Sequence, residues 1–179
     1  MNDKNFLREK LKIKRKYFQN VRREVADSAI MQNFFNAYGN YNSFFVYNAF
    51  STEADTKLII NELLSAGKRV YLPRVEGENI VAVPYGSLKK GAFGIEEPEG
   101  QAFKGNIEVT LIPLLAVNER GFRIGYGKGF YDRFLRDNPS TLKVGLGYAF
   151  QREQFKEDEW DIRLDAFLCE RGIYYYGTD

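Results

Sequence analysis

A segment late in the chain, RIGYGKGFYDRF at residues 123–134, combines glycines, basic side chains and a carboxylate in a pattern suited to binding phosphate. Gly125, Gly127 and Gly129 occupy alternate positions. Glycines let backbone N–H groups approach an anion closely, and nearby Arg or Lys side chains add charge-assisted hydrogen bonds. The segment contains neither the GK[ST] of a Walker A sequence nor a GxGxxG fingerprint, so an ordinary strand-to-helix turn is the alternative.

The residue types that are missing restrict the chemistry further. Histidine is absent from the 179 residues, and Cys169 is the sole cysteine. These counts exclude Ser–His and Cys–His pairs, imidazole metal ligands and internal disulfides. A metal would be a hard ion held by carboxylate and phosphate oxygens, which favours Mg²⁺. Cys169 is either a buried, inert thiol or a nucleophile, and the first reading is preferred.

Positive charge is concentrated at the N-terminus. The formal net charge is +2, but residues 1–25 contain nine Lys or Arg and three Asp or Glu. A solvated helix face and a nucleic-acid patch both fit this excess; no RNA-binding signature or helix-turn-helix pattern accompanies it, so no nucleic-acid partner is expected. No apolar run reaches the roughly 18 residues of a membrane helix, and the N-terminus is too polar for a secretory signal. We expect a cytoplasmic protein without a membrane partner.

Hydrophobic periodicity predicts the elements that position these residues. One apolar stripe predicts an N-terminal helix, and a second helix is expected over 27–38. A helix over 56–69, with Leu58, Leu63 and Leu64 facing inward, separates predicted strands at 43–50 and 69–75, and such a βαβ unit implies a parallel sheet. The residues of the N-terminal stripe are Leu7, Leu11, Phe18, Val21 and Val25.

The rest of the chain continues the alternation of strands and helices. The segment 109–117 is apolar on both faces, as a central strand should be, whereas 79–85 suits an edge strand or hairpin arm. A surface loop is expected over 86–106 and a helix over 131–136. Further strands are predicted at 143–150, 166–170 and 173–177. The expected fold is a single three-layer α/β/α domain over residues 1–179, with a mostly parallel sheet.

The glycine-rich segment also resembles a family signature. GFRIGYGKGFYDRFL (121–135) meets every fixed position of the 5-formyltetrahydrofolate cyclo-ligase (5,10-methenyltetrahydrofolate synthetase) pattern, G-x-R-[LI]-G-x-G-x-G-[YF]-Y-D-x-[FY]-L. Similar matches are KNFLR (4–8), NAFSTEADT (48–56) and WDIRLDAFLCE (160–170), so the resemblance covers roughly residues 3 to 170. It implies a fold like that of sugar-phosphate isomerases and CoA-transferases.

The resemblance implies an ATP- and Mg²⁺-dependent enzyme. Its reaction closes 5-formyltetrahydrofolate, with or without additional glutamates, into 5,10-methenyltetrahydrofolate through an iminium phosphate at N5, and releases ADP and phosphate. A monomer is expected. The implied catalytic residues are Arg123, Lys128 and Glu53. The implied ATP-binding residues are Lys4, Asn5, Phe6, Leu7, Arg8, Arg123, Ile124, Gly125, Tyr126, Gly127, Lys128, Gly129, Phe130 and Tyr131.

The resemblance also assigns the folate and the metal. Asp132 and Asp161 would hold Mg²⁺, and Phe50 is a further candidate wall of the pterin ring. The implied substrate-binding residues are Asn48, Glu53, Tyr126, Gly127, Lys128, Gly129 and Phe130.

Taken alone, these residues have plainer readings. Glu53 suits the acidic first turn of a helix, and Lys4 with Arg8 suits a solvated helix face. The two aspartates suit salt bridges, and Asp165 is expected to be structural.

Three positions depart from the pattern. Trp160 stands where many members have His, Asn118 where many have Asp, and Lys128 where many bacterial relatives have Gly. Two other functions are therefore kept open. A sugar-phosphate isomerase or CoA-transferase relative would use a carboxylate without ATP, and a non-catalytic nucleotide- or RNA-binding module would use the basic N-terminus.

Overall fold

The computed structural model describes residues 4–18 and 20–177. Its α-helices are α1 (Lys4–Tyr17), α2 (Asn20–Tyr38), α3 (Lys57–Ser65) and α4 (Phe130–Asp137). Its strands are β1 (Ser43–Val46), β2 (Arg69–Glu76), β3 (Asn79–Pro84), β4 (Leu88–Lys90), β5 (Glu96–Pro98), β6 (Val109–Pro113), β7 (Ala116–Val117), β8 (Arg123–Ile124), β9 (Leu142–Leu146), β10 (Ala166–Cys169) and β11 (Gly172–Tyr175). None of these helices is long and apolar enough to cross a membrane.

The main sheet is mostly parallel, as predicted. Its order is β11-β10-β9-β6-β1-β2-β3. The strands from β10 to β2 in this order pair in parallel, whereas β11 and β3 add antiparallel edges. The predicted βαβ unit is confirmed by β1, α3 and β2, since Ser43 is paired with Arg69 in a parallel register. The segment predicted at 79–85 as an edge or hairpin arm is β3, at the edge of the sheet.

Helices cover both faces of this sheet, because side chains alternate along each strand. Phe44 and Val46 of β1 belong to a core formed with α2 and α3. Phe45 points the other way and packs on Phe134 of α4, with 4.4 Å between ring centroids. The three-layer α/β/α architecture follows from this alternation and agrees with the sequence prediction.

The predicted N-terminal stripe is wrong beyond Phe18. Leu7 and Leu11 of α1 are buried against the β7–β8 hairpin, but Val21 and Val25 are exposed. The chain leaves the first helix after Tyr17, and the second helix begins at residue 20 rather than 27. Because the helix is interrupted there, the periodicity of α1 does not continue into α2, and the later valines lie outside the buried stripe. The residues that α2 buries instead are Ala26, Ile30, Phe34 and Tyr38, one turn apart along the helix.

The predicted inward face of α3 also needs correction. Leu58 is exposed, whereas Ile59, Ile60 and Leu63 are buried and Leu64 is half-buried. In a helix that begins at Lys57, residues 59, 60 and 63 form one stripe and residue 58 lies outside it.

Two further segments differ from the prediction. The expected loop over 86–106 contains a small antiparallel sheet of β4 and β5. The predicted strand over 109–117 ends as β6 at Pro113, and its last two residues form β7, which pairs with β8. The glycine-rich segment therefore follows a short hairpin strand rather than the central strand directly.

Candidate active site

An open cavity of about 1240 Å³ lies beside the carboxyl ends of β1 and β6. Tyr47 and Asn48, which follow β1, and Pro113, which ends β6, line it. In open α/β sheets this edge is where ligands bind, because loops from several strands converge there. Helix α1 and the glycine loop (residues 125–129) form further walls.

The glycine loop is clamped by two arginines. The Arg8 Nε atom donates a hydrogen bond to the Gly125 carbonyl oxygen at 3.0 Å. Arg133 Nη2 donates to the Lys128 carbonyl oxygen at 2.8 Å. Gly127 has a φ of +93°, a conformation that L side chains rarely adopt. The alternating glycines thus give a fixed backbone path that other residues would strain.

Lys4, Asp158 and Asp161 form a charged group that we call the Lys4 cluster. Lys4 Nζ donates to Asp158 Oδ2 at 2.6 Å and to Asp161 Oδ2 at 2.7 Å. Burial acts to lower the pKa of Lys4, but these hydrogen bonds and the two negative charges outweigh it and raise the pKa. The Lys4 ammonium is therefore held charged at the cavity wall.

The two predicted metal ligands lie near one another. Asp132, in the first turn of α4, accepts a hydrogen bond from the Ile162 backbone N–H at 3.3 Å, and Ile162 directly follows Asp161. Asp132 Oδ1 also lies 3.3 Å from Nη2 of the buried Arg123, whose Nε has no hydrogen-bond partner. Within residues 4–18 and 20–177, no group of three or more His, Cys, Asp or Glu is arranged to hold a metal.

A second group, the Glu53 cluster, joins Arg15, Tyr126 and Glu53. Arg15 Nη2 donates to the Tyr126 hydroxyl oxygen at 2.7 Å, and that hydroxyl lies near enough to the Glu53 carboxylate to stabilise its charged form. Glu53 Oε2 accepts the Phe50 backbone N–H at 2.8 Å. Burial raises the pKa of Glu53, and the donors and the Arg15 charge oppose that rise. Burial likewise raises the pKa of Tyr126.

The sequence prediction did not include Arg15 in the site, although its spacing from Lys4 and Arg8 indicates that it shares their helix face. Lys4, Arg8 and Arg15 are separated by four and seven residues, which places them on one helix face. The basic residues of α1 that line the cavity are Lys4, Arg8, Lys12, Arg15 and Lys16. Five of the nine basic residues in 1–25 therefore line the cavity.

Most of the residues predicted for the site line this cavity. They are Lys4, Arg8, Asn48, Glu53, Arg123, Ile124, Gly125, Tyr126, Gly127, Lys128, Gly129, Phe130, Tyr131, Asp132 and Asp161, and Phe50 joins them. Asn5, Phe6 and Leu7 are not among the lining residues. Phe6 is exposed and Leu7 is buried in the core beneath α1, because successive helix residues point in different directions. Asn5 Oδ1 accepts a hydrogen bond from Arg8 Nη1 at 2.6 Å and so lies behind a lining residue.

Exposed aromatic rings surround the cavity. Phe50, Phe93, Tyr126 and Trp160 are all exposed and all line it. Phe93 lies between β4 and β5 with a left-handed φ of +57°, and the Lys128 ammonium lies 5.5 Å from its ring centroid. Flat apolar surfaces of this kind suit a heteroaromatic ligand.

Three other residues named in the sequence analysis have structural surroundings and do not line the cavity. The buried Asn118 side chain donates to the Phe155 carbonyl oxygen at 3.2 Å, and its Oδ1 accepts the Phe122 N–H at 3.0 Å, so it closes the β7–β8 connection. Asp165 accepts the Lys143 backbone N–H at 2.7 Å, in agreement with a structural role. Cys169 is buried and burial raises its pKa, which agrees with an inert thiol.

Solved structures share this fold and topology along nearly the whole chain. The structure of 5,10-methenyltetrahydrofolate synthetase from Aquifex aeolicus superposes with a TM-score of 0.86 and 31% sequence identity, covering 98% of this chain and 94% of that one. The fold is thus the α/β fold of the methenyltetrahydrofolate synthetases. The 5-formyltetrahydrofolate cyclo-ligase family model matches residues 1–170, and the chain belongs to this family of ligases.

Curated relatives agree with this membership. The 5-formyltetrahydrofolate cyclo-ligase of Escherichia coli strain K12 is 35% identical over 142 residues, which are 72% of this chain and 78% of the relative. The cyclo-ligase of Mycoplasma genitalium is 41% identical over 76 residues, a match that spans 42% of this chain and less than half, 46%, of that enzyme.

Proposed function

We propose that this protein cyclises 5-formyltetrahydrofolate to 5,10-methenyltetrahydrofolate in an ATP- and Mg²⁺-dependent reaction that gives ADP and phosphate. The most direct support is that one loop, the glycine loop, borders both the Lys4 cluster and the Glu53 cluster. The glycine loop is clamped by Arg8, next to the Lys4 cluster, and its Tyr126 belongs to the Glu53 cluster. The cavity of about 1240 Å³ exceeds the roughly 300–1000 Å³ typical of one small-molecule site, and this size supports a site for two ligands.

The reaction explains why ATP is needed. The N-formyl group is an amide, and its oxygen is a poor leaving group. When the formyl oxygen takes the γ-phosphoryl group from ATP, the C–O bond of the resulting N5-iminium phosphate becomes cleavable and ADP is released. N10 of the same folate then attacks the formyl carbon, phosphate leaves, and the N10 proton is lost. Because the attack is intramolecular, the protein needs only to hold the reactive conformer.

We assign the phosphate groups of ATP to the glycine loop and its cations. Lys4, Arg8, Arg123 and Lys128 would offset negative charge during phosphoryl transfer, and the loop N–H groups would donate to phosphate oxygens. The unpartnered Nε of buried Arg123 supports this assignment, because a buried guanidinium donor is costly to leave without an acceptor.

Asp132 and Asp161 fit Mg²⁺ by the chemistry of their oxygens. Mg²⁺ in phosphate-transferring sites is held by one or two carboxylates, with phosphate and water supplying the other ligands. Asp132 and Asp161 are neighbouring carboxylates, which agrees with that arrangement, and Asp158 shares the Lys4 ammonium with Asp161. When bound, the ion would neutralise phosphate charge; the Lys4 and Arg123 cations that flank the two carboxylates would orient them.

We assign the folate to the Glu53 cluster. The Glu53 carboxylate would accept hydrogen bonds from pterin N–H groups, and Asn48 would orient the same ring system. The Asn48 Nδ2 atom donates to the Glu96 carbonyl oxygen at 3.3 Å, which ties this residue to the β4–β5 hairpin. Phe50, Tyr126 and Phe130 would wall the pterin by stacking.

The decisive experiment follows the absorbance of the methenyl-folate product after protein, 5-formyltetrahydrofolate, Mg²⁺ and ATP are mixed. We expect a rise that requires ATP and is abolished by chelation of Mg²⁺. A flat trace from folded protein that still binds ATP would contradict the proposal. An isomerase or CoA-transferase relative would not need ATP, and a nucleic-acid module would show salt-sensitive binding to nucleic acid and no response to folate.

A further inference from the structure

Arg15 is a buried cation at the cavity for which the proposed reaction gives no direct role. Only 5% of its surface is exposed, although a guanidinium is strongly hydrated in water. Nη2 donates to the Tyr126 hydroxyl at 2.7 Å, Nη1 reaches the Leu114 carbonyl oxygen at 3.4 Å, and Nε has no hydrogen-bond partner. A charge that is this poorly satisfied needs another reason to be buried.

The hydrogen bonds of Arg15 have a fixed direction. A guanidinium can only donate, so the Tyr126 hydroxyl oxygen must be the acceptor of the 2.7 Å bond. The Tyr126 proton is then free to point toward the nearby Glu53 carboxylate, whose charged form the hydroxyl stabilises. Glu53 also receives the Phe50 N–H. Burial raises the pKa of Glu53, and the Phe50 N–H and the Tyr126 hydroxyl both act against that rise.

We propose that Arg15 is a positioning residue for folate: it fixes the Tyr126 hydroxyl as a donor to Glu53 and so sets the orientation in which the Glu53 carboxylate meets the ring N–H groups of the substrate. The proposal rests on the proposed function for the identity of the ligand. Arg15 acts through Tyr126 and does not take part in phosphoryl transfer.

Charged and titratable groups from several elements face Glu53. Arg15 of α1 and Arg23 of α2 supply positive charge, and Arg23 Nη2 donates to the Glu53 carbonyl oxygen at 2.6 Å. The Tyr126 hydroxyl of the glycine loop lies near the carboxylate. Tyr47, after β1, and Tyr131 of α4 also interact electrostatically with Glu53. Since burial raises the pKa of Glu53 and Arg15 opposes it, loss of the Arg15 charge raises that pKa further.

The kinetic test replaces Arg15 with an apolar residue of similar length. For Arg15→Met we expect the KM for 5-formyltetrahydrofolate to rise about tenfold or more, the size of a lost charge-assisted hydrogen bond. The KM for ATP is expected to change less than about twofold, since the phosphate contacts are untouched. The matched control is Lys14→Met, which removes the same charge from α1 at a residue paired with Glu153 rather than the cavity.

Two further variants distinguish a positioning role of Arg15 from a role in supporting the fold. Tyr126→Phe removes the connecting hydroxyl and keeps the ring, so it should reproduce the folate defect, and Arg15→Met should add little to it. Arg15→Lys keeps a donor and a charge and should recover part of the lost affinity. Equal loss of folate and ATP affinity in Arg15→Met, with no recovery in Arg15→Lys, would mean that Arg15 only supports the fold and would overturn the proposal.

A measurement without substrate tests the network independently of the reaction. The pKa of Glu53 can be followed by carbon NMR of the side-chain carboxyl in protein labelled at glutamate. We expect a higher pKa in Arg15→Met than in the parent protein and no change in Lys14→Met. An unchanged Glu53 pKa in folded Arg15→Met overturns the proposal. If that pKa rises but the parent protein forms no methenyl-folate, the result contradicts the proposed function instead. If Arg15→Met does not fold, Tyr126→Phe gives both the kinetic test and the pKa test, since it removes the same connection to Glu53.

Discussion

The Lys4 cluster and the Glu53 cluster border the same cavity but are built in different ways. In the Lys4 cluster, opposite charges touch directly, at 2.6 and 2.7 Å, and Asp158 is partly exposed. In the Glu53 cluster, a cation and a carboxylate that are both buried are joined through the neutral Tyr126 hydroxyl. An ion pair with a partly exposed partner is held weakly, whereas a buried chain of hydrogen bonds favours one geometry.

This difference suits the two ligands proposed for the cavity. Phosphate groups carry negative charge of their own, so they would compete with Asp158 and Asp161 for the Lys4 ammonium. A pterin offers weak, directional N–H donors, so its recognition needs an acceptor that is already oriented. Variants in the two regions should therefore fail in different ways: through ATP and Mg²⁺ near the Lys4 cluster, and through folate near the Glu53 cluster.

The largest effect is expected at the glycine loop. Gly127→Val places a β-branched side chain at a φ of +93°, with its Cβ 3.7 Å from the Arg8 guanidinium. The loop N–H groups would turn away from phosphate, and we expect kcat/KM for ATP to fall roughly 100- to 1000-fold, as for a lost preorganised donor. Steady-state kinetics and direct ATP titration measure the loss.

The control for this variant is Gly67→Val, at the end of α3. Gly67 also has a positive φ, +72°, but its Cβ would meet nothing within 4 Å. It carries similar backbone strain, about 1–3 kcal/mol, away from the cavity. Full activity of Gly127→Val would show that the loop does not bind phosphate, and equal inactivation of both variants would point to unfolding.

The next largest effect is expected in the Glu53 cluster. Glu53→Gln keeps the shape but removes the charge, and we expect kcat/KM for 5-formyltetrahydrofolate to fall about 10- to 100-fold with little change for ATP. Because burial raises the pKa of Glu53, protonation in the parent protein begins at a higher pH than for an ordinary glutamate. The acid limb of the folate pH profile should reflect that pKa and should disappear in Glu53→Gln.

Glu62→Gln, at an exposed position of α3, serves as the control for the charge change. An acid limb that persists unchanged in Glu53→Gln would assign it to another group and remove Glu53 from folate binding. Glu53 would then keep only its structural hydrogen bond to the Phe50 N–H.

The comparison also explains what the sequence could predict. The glycine loop is contiguous, and Lys4 and Arg8 lie one helical turn apart, so their chemistry is visible in short segments. Arg15, Tyr126 and Glu53 come from three distant segments and meet only when α1 packs on the β7–β8 hairpin. No local pattern joins them, although the spacing of Arg15 from Arg8 indicated the shared face.

The errors in the fold prediction have the same origin. The mostly parallel sheet and its three layers follow from apolar runs and crossover rules, and these were predicted correctly. The stripe that continued through Val21 and Val25 failed because periodicity does not reveal where a helix ends, and Phe18 has no strong stop signal. Phe18 instead packs on Tyr148, with 4.6 Å between ring centroids, a contact 130 residues along the chain that no local pattern contains.

A smaller effect is expected from Asp132→Asn. Asn can still accept the Ile162 N–H through its Oδ1 atom, so the fold should persist. The Mg²⁺ concentration needed for half-maximal rate should rise about tenfold, because the metal loses a charged oxygen ligand. Asp137→Asn, on the exposed end of α4, is the matched control. An unfolded Asp132→Asn protein would instead show that the carboxylate serves mainly to pair with Arg123.

The smallest effect on rate is expected at Trp160, one of the three departures from the family pattern. Its ring is 66% exposed at the cavity rim, so Trp160→His should change kcat by less than about threefold. As the sole tryptophan, Trp160 still reports occupancy of the neighbouring Lys4 cluster. We expect MgATP to change its fluorescence in the parent protein and in Glu53→Gln, but not in Gly127→Val. A response to folate alone that survives in Glu53→Gln and vanishes in Gly127→Val would mean that folate binds at the glycine loop, and the assignment of ligands to the two clusters would have to be reversed.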